Sequence, residues 1–142
     1  MTPIIQKRLA SVLSKQNNIL FACLFGSEAK KETRYGSDID IAIYFDKDPA
    51  MLVLGELINN LEKETESKID LVKLNNLDKT NPCLAHSVLS DCIILILNDE
   101  IMFKEFKSSV ILHYLDFKFA RDMFDSAFKK RLSSNQFAVF DK

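Results

Sequence analysis

Cysteine is scarce and odd in number. Cys23, Cys83 and Cys92 are all there is, with no Cys-x-x-Cys pair. That excludes a disulfide framework and a zinc site of the finger type, and predicts reduced thiols. Long apolar runs are missing as well. The longest uncharged stretch, Gln16 to Ser27, has 12 residues, whereas a spanning helix needs ~20. The N-terminus, MTPIIQKRLASVLSKQ, mixes apolar and basic residues and has no continuous apolar region of the signal-peptide kind. A cytoplasmic protein is the expectation. Charge of one sign is lacking too. Nineteen basic residues face 20 acidic ones, for a net charge of −1. No global field would hold a nucleic-acid duplex or an anionic membrane. There is no GxxxxGK or GxGxxG pattern, so P-loop and dinucleotide folds are excluded.

What is present fits one globular domain. The chain has 142 residues, 47% of them hydrophobic, enough to bury ~70% of the unfolded chain's surface. Its three prolines read Thr2-Pro3, Asp48-Pro49 and Asn81-Pro82. Each follows a residue able to cap a helix, and each is expected at a first helical position. Helices are predicted over residues 3–16, with Ile4, Ile5, Leu9, Val12 and Leu13 inward, over 49–66, with Leu52, Leu57, Ile58 and Leu61 inward, and over 82–90. Strands are predicted at 19–25, 39–45, 68–74 and 92–97. Strand and helix alternate, so the class is α/β or α+β, a small mixed sheet of about four strands flanked by helices. Asn98-Asp99 is the expected seam. It divides a core (1–98) from a helical extension (99–142) that carries eight of the 11 phenylalanines. On that extension, Phe103, Phe106, Val110, Phe117, Phe124 and Ala127 form one stripe, with Ile111, Leu115 and Met123 beside it. Such width predicts an apolar surface left over for a partner chain.

The chemistry concentrates in GSEAKKETRYGSDID. Gly26-Ser27 directly follows the first strand, and ten residues later Asp38 and Asp40 enter the second. Residues two apart on a strand share a face. Two carboxylates ~5 Å apart repel by ~3 kcal/mol at an effective dielectric of ~20. A divalent cation relieves that repulsion, and oxygen-only ligands select magnesium or manganese. Gly26 lets backbone approach a ligand, and the Ser27 hydroxyl with the following N–H groups can hold phosphate oxygens. Lys30, Lys31 and Arg34 add positive charge for a polyphosphate. A phosphate cradle beside a metal pair equips a site for phosphoryl or nucleotidyl transfer. His86 and His113 have no partners at metal spacing and are expected on helix faces. Cys23 and Cys92 are expected as inert core thiols, and Lys129-Lys130-Arg131 as a solvated helix end.

The Gly-Ser, ten residues, Asp-x-Asp pattern resembles the signature of the DNA-polymerase-β-like nucleotidyltransferase superfamily. The small size resembles the minimal nucleotidyltransferases, the MNT antitoxins encoded beside HEPN ribonuclease toxins. The resemblance covers residues 1–98 in element order. It implies ATP as donor and two magnesium ions held by Asp38, Asp40 and a third carboxylate. Asp70 in KIDLVKL matches that third position, with Glu64 and Glu66 as weaker candidates. It further implies AMP transfer to a tyrosine of a cognate HEPN toxin in a hetero-oligomer; a homodimer is also open. Two other functions stay open: an antitoxin acting by binding alone, and a nucleotidyltransferase for a small molecule of the aminoglycoside type.

Overall fold

The computed structural model describes residues 3–26 and 38–133. In chain order the elements are α1 (Pro3–Ser14), β1 (Ile19–Phe25), β2 (Ile39–Phe45), α2 (Met51–Thr65), β3 (Ile69–Lys73), α3 (Leu77–Thr80), α4 (Pro82–Ser90), β4 (Ile93–Leu97) and α5 (Glu100–Ser133). The four strands form one sheet in the order β3-β2-β1-β4. β1 runs antiparallel to both β2 and β4, and β2 runs parallel to β3. This is the mixed, helix-flanked sheet expected from the sequence. None of the described helices is long and apolar enough to cross a membrane.

The sheet separates two cores. On one face Ile39, Ile41, Ile43 and Phe45 of β2 pack with Leu9 and Leu13 of α1 and with Leu57 and Leu61 of α2. On the other, Phe21, Cys23 and Ala42 meet Ala85 and Val88 of α4 and Phe106 and Val110 of α5. Phe21 seats α5: its ring centroid lies 5.0 Å from Phe103, edge-on, and 5.8 Å from Phe106. β1 is apolar throughout because both of its faces are covered.

The proline expectations are met in position at Pro3 and in both position and cap at Pro82, while Thr2 lies outside the described residues. Pro3 opens α1, and the Asn81 side chain caps α4 by accepting from the Leu84 N–H at 3.2 Å. Pro49 does not open α2. That helix starts at Met51 with Ala50 as an extended N-cap and no side-chain cap. Asp48 is engaged elsewhere, paired with Lys73 Nζ at 2.5 Å. Leu52 and Ile4, expected inward, are exposed. The expected seam is tied down: Asn98 and Asp99 both donate backbone N–H groups to the Leu20 carbonyl, and Asn98 Nδ2 donates to the Ile19 carbonyl at 2.9 Å. Asp99 Oδ1 then accepts from the Met102 N–H and caps α5.

Candidate functional site

The strand directions bring three strand ends to one rim. β1 finishes there, and β2 and β3 start there. Phe25 is the register partner of Asp40 across the antiparallel pair, and Asp70 is its partner across the parallel pair. The Ile39 N–H donates to the Lys68 carbonyl at 2.8 Å and pins β2 to β3 at this end. Asp38 stands just before β2 and Asp40 is its second residue, so both belong to the face that carries Ala42. Asp38 and Asp70 are exposed and Asp40 is half-buried.

The electrostatics follow from this crowding. Burial pushes the Asp40 carboxyl above its ordinary pKa, and the charges of Asp70 and then Asp38 push the same way. A nearby negative charge disfavours ionisation of a carboxyl, and burial adds to that at Asp40. Glu64 is not part of the group: it lines a cleft of about 290 Å³ between α1 and α2, with Lys15 and Lys63. Glu66 closes α2 in a left-handed backbone conformation.

Gly26 takes φ +75° at the end of β1. A Cβ built there would collide with Asp40 Oδ2. The glycine is therefore demanded twice, by its backbone and by the carboxylate lying against it. Ser27, Lys30 and Arg34, with Lys31, lie outside the described residues.

Among the described residues, no three His, Cys, Asp or Glu side chains stand close enough together to grip a metal ion. The donor chemistry nevertheless fits a hard divalent cation. The three carboxylates supply only oxygen, and their mutual repulsion, felt at Asp40, is the charge imbalance such a cation neutralises.

One polar cluster went unread in the sequence. Asp78 is buried and accepts from Ser109 Oγ, which lies 3.2 Å from His113 Nδ1. His113 Nδ1 donates to the Ser109 carbonyl at 2.7 Å. The serine sits between acid and imidazole, so the imidazole has no nucleophile to activate; the cluster ties α3 to α5. His86 stacks on Tyr114 at 3.9 Å. Both histidines are thus held by α5, as helix-face residues.

The thiol expectation needs correction. Cys23 is buried, but Cys92 is only half-buried and precedes β4. Cys23 donates to the Cys92 sulfur, which pulls the Cys92 thiol down to about 7 and, together with burial, pushes Cys23 up.

Residues 7–101 match the family described as polymerase beta, nucleotidyltransferase. The chain belongs to that family. The enzyme class expected from the motif is thereby borne out. "Putative protein adenylyltransferase MJ1217" of Methanocaldococcus jannaschii is 31% identical over 91 residues, covering 64% of this chain and 91% of the relative. A second protein of that name, MJ0126, is 34% identical over 83 residues, covering 58% and 83%. Among solved structures, a toxin–antitoxin crystal structure with AMP-PNP superposes with a TM-score of 0.72 at 21% identity, over 87% of this chain and 98% of that one. A tri-AMPylated Shewanella oneidensis HEPN toxin in complex with MNT antitoxin gives 0.69 at 20% identity, over 91% and 99%. These two likenesses are of fold.

Proposed function

We propose that this chain transfers AMP from ATP to a protein hydroxyl, a tyrosine of a cognate HEPN toxin, and so acts as an antitoxin. The observation that carries the reading is the rung formed by Asp40 and Asp70, with Asp38 on the same side and Gly26 against Asp40. Family membership, relatives named as adenylyltransferases and a neighbour complexed with an AMPylated toxin support it.

In this reading Asp38, Asp40 and Asp70 hold two magnesium ions. When bound, magnesium supplies charge neutralisation at the triphosphate and lowers the pKa of the attacking hydroxyl. Asp70 lies at the exposed edge of the rung and accepts the acceptor's proton. The acceptor oxygen forms a bond to the α-phosphorus, and the bond to pyrophosphate breaks, its electron pair leaving with pyrophosphate. Gly26 lets backbone N–H groups approach the leaving phosphates. Ser27 donates a hydrogen bond there, and Lys30 and Arg34 balance charge.

The test uses α-labelled ATP, magnesium and a cognate HEPN toxin sought in the reading frame beside this chain's own. Label is expected on a toxin tyrosine, lost with chelator and lost in Asp38→Ala, Asp40→Ala. Ser27→Ala is expected to slow transfer about ten- to a hundredfold, the value of one charge-assisted hydrogen bond. Undiminished labelling by the double aspartate variant would refute the mechanism. Full neutralisation of the toxin by that variant, without labelling, would establish inhibition by binding alone.

A further inference from the structure

α5 is far longer than the body it packs on. Its 34 residues span about 51 Å. Phe106 and Val110 are buried in the core, yet every residue from Leu115 to Arg131 is exposed. A helical segment of this length is marginal in water by itself, and this one is rich in Phe and Asp rather than Ala. Among the described residues, nothing of the chain covers it.

Its pattern specifies what does. Phe117, Ala120, Phe124 and Ala127 recur at alternating steps of three and four, the seam of a coiled coil. Phenylalanine holds one seam position and alanine the other. In a parallel pair each Phe would meet its own copy. In an antiparallel pair the two positions share a layer, so Phe124 meets Ala120 and Phe117 meets Ala127, large against small at each step. The same register sets Asp116 beside Lys130 of the other copy, twice by symmetry, and Met123 beside itself on the two-fold axis. The one like-charged meeting is Arg121 with its copy, and its guanidinium already lies over the Phe117 ring, 6.0 Å from the centroid. Phe124 is 68% exposed and stacks on Phe128 of its own helix, so the anchors are preformed.

We infer that the projecting half of α5 is a self-complementary surface that pairs two copies of this chain as an antiparallel helical dimer. This stands independently of the proposed chemistry. The seam is short, so dimerisation is expected to depend on concentration.

Sedimentation equilibrium of the full chain, alone, is expected to show a monomer–dimer equilibrium at micromolar concentration. Phe124→Glu should weaken it by about a hundredfold or more while the thermal transition of the body stays as in the parent. Asp116→Lys should weaken it severalfold, and combining it with Lys130→Asp should restore it, which a merely structural effect would not do. Under mild oxidation Met123→Cys should yield a cross-linked dimer, whereas Lys118→Cys and the parent, with its native cysteines, should not. A chain that stays monomeric at every concentration, including one that uses this face only for a toxin, overturns the inference. So do a dimer indifferent to Phe124→Glu, a charge swap without restoration, and a cross-link absent at Met123.

Discussion

The Asp40 carboxylate occupies the space that a side chain on Gly26 would need. The two signature elements, ten residues of intervening chain apart, are thus in direct contact at the β1–β2 end.

Gly26→Ala must place a Cβ at φ +75° and move Asp40. The expected cost is at least ~1–2 kcal/mol from the backbone alone, with loss of nucleotidyl transfer larger than the stability change explains. Gly55 in α2 is the control, since a Cβ there meets nothing within 4 Å. Gly55→Ala should stabilise by ~0.5–1 kcal/mol. Urea unfolding of both variants, read beside their activities, checks this. A benign Gly26→Ala would contradict the contact.

The raised Asp40 pKa makes stability depend on pH in a definite direction. Above the ordinary carboxylate value of ~3.9 and up to the folded value, the native state binds more protons than the unfolded chain. Stability contributed by Asp40 therefore falls as pH rises through that window, in the absence of divalent cations. Asp70→Asn removes a like charge from the adjacent strand. It should stabilise the chain at pH 7 by ~0.2–1 kcal/mol and have no such effect near pH 3. Magnesium should raise the melting temperature of the parent more than that of the variant. Thermal melts in chelator and in magnesium, at both pH values, are the measurement. A variant less stable than the parent at pH 7 in chelator would rule out the repulsion.

Cys92 should be the reactive thiol. Its alkylation rate is expected to rise with a midpoint near pH 7, because the Cys23 thiol donates to its sulfur. Cys23→Ala removes that donor and should shift the midpoint upward toward the ordinary thiol range, ~8.5. Peptide mass spectrometry of timed iodoacetamide reactions resolves the cysteines. A midpoint already at the ordinary value in the parent would refute the hydrogen bond.

What the sequence disclosed was what is local. β1 announced itself as a short, wholly apolar run, and Gly26, Asp38 and Asp40 lie close along the chain, at the end of one strand and the beginning of the next. Asp70 was reached through family resemblance, and its place beside Asp40 is a matter of strand register that no local pattern encodes. The misreadings have the same origin. Asp48 looked like a cap, but Lys73, 25 residues away, takes its carboxylate. Asn75, one residue past the predicted third strand, carried no expectation of its own, yet its side-chain amide accepts from the Phe45 N–H at 2.9 Å and donates to the Phe45 carbonyl at 2.8 Å, extending the β2 ladder by one rung. Cys92 was grouped with a strand because the apolar run includes it, but it lies one residue outside.

The strand order carries a consequence for how the chain can be cut. β1 is an inner strand whose second neighbour, β4, arrives some seventy residues later, with Leu24 paired to Ile93 and Phe21 to Leu97. A fragment ending before Ile93 keeps all three carboxylates but leaves one edge of ILFACLF with open N–H and C=O groups. An exposed apolar edge of that kind recruits other chains. The polypeptide that carries the chemistry therefore becomes safe from aggregation only when β4 has closed the sheet, both on the ribosome and in any shortened version made for study.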